Sequence, residues 1–259
     1  MHISRKIKRH RKQTIKKHRH NKIKEDNKPL KVAILFCGRI QGYENVKDNL
    51  SKIMNRYNPT IFCSLNKKNK SEYIKDFCDF MKIDDERLNL ELTPNPPEYY
   101  NTIVPRHTPF IVSNFYSMLY QQKQVFSLLE KYQTKHTMKF DCIVLYRADI
   151  ESPDELILEY PKPNTIYIPM FENAPHEHES KNGIVCGQFY GDYYVMKYMC
   201  TIIDSIKDLT EIYGVLFGFP EIAYKKHIDN KKLNIQRFKY IFEYHPSRHI
   251  YNQAYDDIE

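Results

Sequence analysis

Short apolar runs break up an otherwise polar chain. Leu30 to Cys37 is an apolar strand that ends in Gly38-Arg39-Ile40-Gln41-Gly42, and Thr60 to Ser64 is a second strand closely following Pro59. Between them Val46, Leu50, Ile53, Met54 and Tyr57 recur at helical spacing from Glu44 to Tyr57. Strand, helix and strand over about 35 residues form a βαβ unit, whose strands are expected to be parallel. A third run, Phe140 to Ile150, is apolar up to Tyr146 and closes in Arg147-Ala148-Asp149 ahead of Ser152-Pro153. That is the pattern of a parallel strand buried on both faces, with opposite charges at its carboxyl end.

The remaining pattern adds helices. Glu72 to Met81 reads as one, followed by Asp84-Asp85-Glu86, a solvated turn ahead of a strand of polar composition. Pro94, Pro96, Pro97, Pro105 and Pro109 mark an irregular segment from Thr93 to Pro109. Ile111 to Lys135 reads as a long helix crossing over to the strand at Asp141. Thr165 to Pro169 is a short strand, and Glu172 to Asn182 is a polar loop containing His176 and His178. Gly187 and Gly191 flank Gln188-Phe189-Tyr190 and lead into one helix from Tyr193 to about Tyr213. A helix from Pro220 to Ile228 and a strand from Leu233 to Glu243 close the chain. Alternating strands and helices at this length imply an α/β fold.

Charge divides the chain. Met1 to Lys28 holds twelve Lys and Arg against Glu25 and Asp26, a net of +10, so the rest sums to −2 of the total +8. With few apolar residues this tail cannot offset its ordering entropy, and it is expected to be disordered, with residues 29–259 forming one domain. The tail suits a polyanion such as nucleic acid, an acidic membrane surface or a nuclear import receptor, or it serves as a solubilising extension. No stretch approaches the roughly 18 apolar residues of a membrane-spanning helix, and no apolar segment of a secretory signal follows the basic start. A cytoplasmic protein is expected, or a nuclear one on account of the tail. The six cysteines are widely spaced without a Cys-x-x-Cys pair, so buried free thiols are expected and structural zinc is not.

Gly38-x-x-x-Gly42 lacks the third glycine of a dinucleotide fingerprint, and neither a P-loop nor a Gly-x-Ser-x-Gly elbow occurs. Dehydrogenase, P-loop NTPase and α/β-hydrolase readings are disfavoured. Chemistry concentrates at the third strand. Ligands gather at the carboxyl ends of strands in open α/β sheets. On an extended chain Arg147 and Asp149 point to the same side, where they face a polyanion and its metal together or pair with each other.

The order of motifs from Lys31 to about His245 resembles a family of GT-A-like glycosyltransferases of bacteria and giant DNA viruses. Lys31 to Tyr43 resembles the family's first strand and Gly-Arg-x-x-x-Tyr loop. Ile61 to Asn66 resembles its second strand, with Thr60 where the family has Asp. Phe115 to Tyr120 resembles its Ser-Met-x-Tyr helix opening, and Arg147-Ala148-Asp149 the Arg-x-Asp that stands for the metal-binding Asp-x-Asp. Gly183 to Asp192 resembles an Asn-Asp-Gln-x-x-x-Gly block matched on Gln188, with Cys186 and Gly187 in place of Asn and Asp and Gly191 one residue early. Pro220-Glu221 resembles a Pro-Glu helix start.

The resemblance implies a single Rossmann-like GT-A domain with a mixed, mainly parallel sheet flanked by helices. It implies transfer of a sugar from a UDP- or GDP-sugar to a glycan or protein acceptor, in host cytoplasm if the source is viral. Asp149 would hold a divalent manganese or magnesium ion, since such ions take oxygen ligands. Arg39, Arg147, Asn66 and Tyr116 would bind the donor. Glu221, or one of His176 and His178, would serve as base, although a Glu after Pro also suits a helix start for its own sake. Tyr116, Tyr120 and Tyr190 would stack on a base or sugar ring, or fill the core. Two other readings stay open: a transferase fold that binds without turnover, and a polyanion-binding protein acting through its tail.

Overall fold

The computed structural model describes residues 29–38, 40, 43–67, 71–100, 109–148, 150–152, 154–169, 188–213, 220–240 and 243–244; of residues 45, 109–112, 150–151, 220–221 and 243–244 only the backbone is described. The chain divides into two units, Met1–Leu30 and Lys31–Glu259. The basic tail, residues 1–28, lies outside the described residues.

The second unit is an α/β layer structure. Its strands are β1 (Val32–Gly38), β2 (Thr60–Asn66), β3 (Leu88–Glu91), β4 (Cys142–Tyr146), β5 (Ile150–Glu151), β6 (Thr165–Pro169), β7 (Phe189–Gly191), β8 (Asn234–Phe238) and β9 (Glu243–Tyr244). Its α-helices are α1 (Lys47–Tyr57), α2 (Ser71–Met81), α3 (Pro109–Lys135), α4 (Tyr193–Cys200), α5 (Ile206–Tyr213) and α6 (Pro220–Lys231). Seven strands form one sheet in the order β3-β2-β1-β4-β7-β6-β8, and β5 pairs with β9 apart from it. β1 runs parallel to β2 and β4, β2 to β3, and β6 to β8; β7 alone runs against its neighbours β4 and β6. The sheet is mixed and mainly parallel, with helices packed on it, as the resemblance implies.

Strand alternation sorts the core into two faces. Ala33 and Leu35 of β1, Phe62 of β2, and Ile143 and Leu145 of β4 join one cluster with Leu119, Val125, Phe126 and Leu129 of α3 and Val195, Met196 and Met199 of α4. On the other face Phe36 meets Phe77 of α2 edge-on at 5.4 Å and Tyr146 at 5.7 Å, while Leu50 and Ile53 of α1 are buried. β1 and β4 are apolar along nearly their whole length because both of their faces are covered.

Three expectations change. The helix from Tyr193 to Tyr213 breaks at Thr201, whose hydroxyl donates back to the Lys197 carbonyl at 2.8 Å, and Ile202–Ser205 forms a 3-10 turn. The β-branched run Thr201-Ile202-Ile203 resists continuous helix, and the break turns Ile202, Ile206 and Leu209 all inward. The strand from Leu233 to Glu243 divides into β8 and β9, and Tyr240 after β8 is buried, 0% exposed. β7 is an additional strand, three residues long, between β4 and β6.

Gly191 at the end of β7 has a packing reason: a Cβ there would meet Val195 Cγ1 at 3.0 Å and the Thr165 carbonyl at 3.3 Å. Asp192 next to it caps α4, its carboxylate accepting from Val195 N at 2.9 Å. The described cysteines, Cys37, Cys63, Cys78, Cys142 and Cys200, are free thiols. Among the described residues no helix is long and apolar enough to cross a membrane.

Candidate functional site

From β1 the chain steps outward through β2 to β3, then returns over α3 to enter the sheet as β4 on the opposite side of β1. The strand order therefore reverses between β1 and β4. Such a reversal is the place where open α/β sheets take ligands. Gly38 ends β1 there with φ +87°, and a Cβ added to it would meet no atom within 4 Å. A left-handed residue facing open space is a position for glycine.

Arg147 stands at the end of β4. Phe36 lies opposite Tyr146 in the register, so one step further Cys37 and Arg147 are neighbours. Burial pushes the Cys37 thiol up to about 12, with the positive charge of Arg147 acting the other way. Ordered strand pairing ends at Tyr146, and Ala148 lies in a turn. Asp149 itself, Arg39, His176, His178, Cys186 and Gly187 lie outside the described residues. Glu221 falls in the first turn of α6 directly after Pro220, as the sequence implies, and its side chain is outside the described part.

On the other side of β1 the ends of β2 and β3 meet α3 through a chain of polar groups. Asn89 donates to the Ser64 hydroxyl at 3.1 Å, and Ser64 donates to Gln121 Oε1 at 2.5 Å. Gln121 Nε2 and Asn66 Nδ2 both donate to Thr93 Oγ1, at 3.1 and 3.0 Å. With both of its lone pairs taken, the Thr93 hydroxyl must donate to Ser117 Oγ, 3.0 Å away. The direction of the whole chain is thereby fixed. Ser117 and Gln121 are four residues apart on α3, one turn, so both face the sheet. This chain positions Asn66 at the strand end.

The aromatic candidates take packing positions. Tyr116 is 9% exposed and meets Tyr100 edge-on at 5.0 Å and Tyr120 at 6.1 Å. Tyr120 has its hydroxyl raised by burial and by Glu91 beside it. Tyr190 is buried and stacks on Tyr167 at 4.4 Å. Asp84 of the acidic triplet caps a 3-10 turn and pairs with Arg87 at 2.8 Å, as a solvated turn should.

A second polar cluster, missed in the sequence, lies at the end of β4 on the α1 face. The Tyr146 and Tyr240 hydroxyls are 2.8 Å apart, and Asn49 Nδ2 donates to Tyr240 at 3.0 Å and to Tyr146 at 3.4 Å. Gln188 precedes β7, and because Phe189 lies opposite Leu145 it falls beside Tyr146. Burial and the partner phenol hold the Tyr146 hydroxyl well above its usual range. Gln188 stands out in the sequence by itself, but no local signal joins these residues; Asn49 and Tyr240 are 191 positions apart.

Among the described residues no three His, Cys, Asp or Glu side chains converge as a metal site would require. What the described residues bring to these strand ends is a guanidinium, amides and hydroxyls. Such a donor set fits the oxygens of a phosphate or sugar.

No protein-family pattern matches the chain, and no curated protein is detectably similar in sequence. Among solved structures, the chain is similar to the mannosyltransferase PcManGT from Pyrobaculum calidifontis in complex with GDP-Man and Mn2+. The TM-score is 0.44 at 12% identity, over 90% of this chain and 66% of that one, just under two thirds of its length. It is also similar to apo mouse xyloside xylosyltransferase 1, with a TM-score of 0.41 at 9% identity over 80% of this chain and 84% of the other. Likeness of this degree concerns the course of the chain alone.

Proposed function

We propose that the chain is a glycosyltransferase that takes a sugar from a UDP- or GDP-sugar, in a GT-A-like domain, and passes it to a glycan or protein acceptor. The observation that carries this reading is the placement of Arg147 at the strand-order reversal, across from the open turn at Gly38. The motif resemblance at Gly38-Arg39 and Arg147-x-Asp149 supports it.

In this reading Arg147 and Arg39 grip the donor diphosphate. Guanidinium forks match phosphate oxygens and keep their charge. Asn66, held by the Thr93 chain, presents its amide to the donor, and Tyr116 supports the helix wall beside it. Asp149 supplies the carboxylate that holds manganese or magnesium, and that ion, when bound, neutralises charge on the leaving diphosphate. For an inverting displacement Glu221 takes the proton of the acceptor hydroxyl. The acceptor oxygen then bonds to the sugar's anomeric carbon as the bond to the diphosphate breaks, and the nucleoside diphosphate leaves with the electron pair.

The test is a thermal-shift series on the full chain with UDP- and GDP-sugars and manganese, run beside Arg147→Ala and Asp149→Ala. Ligand binding to the folded state raises the melting temperature by mass action. A shift in the parent that is reduced in both variants supports the donor site. A cooperatively melting protein that no nucleotide-sugar shifts refutes it. Release of free sugar or its transfer then separates a working enzyme from a fold that binds without turnover.

A further inference from the structure

The cluster at the end of β4 has more hydrogen-bonding capacity than partners. Asn49 is 6% exposed and Gln188 1%. Asn49 Oδ1 and both amide atoms of Gln188 make no hydrogen bond of good geometry, although Gln188 and Ser152 are close enough to the Tyr240 hydroxyl to interact with it. Turning the Asn49 amide over would exchange which of its atoms is left, not how many. The two phenols share one hydrogen bond, so one phenolic hydrogen also seeks an acceptor, for which Ser152 is the neighbour. Two carbonyl acceptors and an amide donor are therefore left over in one buried place. Each buried amide without a partner carries a desolvation cost, and interiors seldom tolerate several side by side.

We propose that Asn49, Gln188, Tyr146 and Tyr240 form a closed internal water site, occupied by one or two ordered molecules that join the Asn49 and Gln188 amides. Water matches what is left over, since each molecule donates two hydrogens to carbonyls and accepts from an amide or phenol. The filled site ties together α1, β4, the start of β7 and the chain after β8. It thereby fixes the end of β4, one residue before Arg147. Asn49, Gln188 and Tyr240 are positioning residues in this scheme, and the binding of the water is independent of any donor.

A crystal structure of the full chain at a resolution that places solvent is the first test. Density within hydrogen-bonding distance of the Asn49 and Gln188 amides supports the site. Its absence, with those atoms still unpaired or joined directly to each other, overturns it. Gln188→Met gives a second readout, because Met keeps the length of the side chain without its polar atoms. If water completes the network, removing the amide strands that water and lowers the melting temperature by about 3–6 °C. If Gln188 is a true orphan, Met relieves its burial cost and the melting temperature rises, which would refute the site. Should Gln188→Met not fold, the parent crystal decides alone.

Discussion

Two polar clusters, one partly and one fully buried, flank the strand ends, and they differ in completeness. On the α3 face, Asn89, Ser64, Gln121, Thr93 and Ser117 form a chain whose donors and acceptors match one another in a single direction. On the α1 face, Asn49, Tyr146, Tyr240 and Gln188 leave three amide atoms unmatched. The first behaves as part of the scaffold. The second needs something further to complete it. A saturated network locks one geometry, whereas an unsaturated one reports a missing partner.

His227 provides the largest effect against which to set the two. Its ring stacks on Tyr198 at 3.7 Å, its Nε2 lies 2.9 Å from the Tyr198 carbonyl, and its Nδ1 has no partner. Burial lowers its pKa to about 4, only partly opposed by that carbonyl. The unfolded chain thus takes up the extra proton first. Stability is full above pH 6.5 and falls as pH drops toward 4, by about 3 kcal/mol for this one group. Urea unfolding from pH 7 to pH 4 should show that loss, and His227→Gln should remove it from the same window. An unchanged pH profile in the variant would assign the loss to other groups.

Gln121→Leu breaks the saturated chain at its centre, leaving the Ser64 hydroxyl and one side of Thr93 without their amide partner. A loss of about 2 kcal/mol is expected, seen as a lower urea midpoint with an unchanged slope. A neutral result would erase the contrast between the clusters. Gly191→Ala presses a methyl against Val195 and the Thr165 carbonyl, where β7 meets α4 and β6, and should cost about 1–2 kcal/mol. Asp192→Ala removes the α4 cap and should cost about 1 kcal/mol. Thermal melts of this pair report how firmly the start of β7, and so Gln188, is held.

What was legible in the sequence follows from the range of the interactions. β1 and β4 showed as unbroken apolar runs because the sheet is covered on both sides, and α3 showed because one apolar stripe repeats along its length. Arg147 and the Gly38 turn were visible as the punctuation after such runs. β7 was not, since three residues, the last of them glycine, carry no period. The break at Thr201 was hidden because Tyr193 to Tyr213 keeps apolar residues at helical spacing through it. Neither polar cluster was legible, because Ser64 and Gln121 are 57 positions apart and Tyr146 and Tyr240 are 94 apart. Polar residues read singly resemble surface positions; only the fold shows that they are buried together.

The measurement that bears most directly on the proposed activity is the structure of the full chain crystallised with manganese and UDP or GDP. The diphosphate should lie between the Gly38 turn and Arg147, with the guanidinium within hydrogen-bonding reach of its oxygens. A nucleotide bound elsewhere, or these strand ends left empty at saturating nucleotide, would contradict the assignment of this strand end as the donor site.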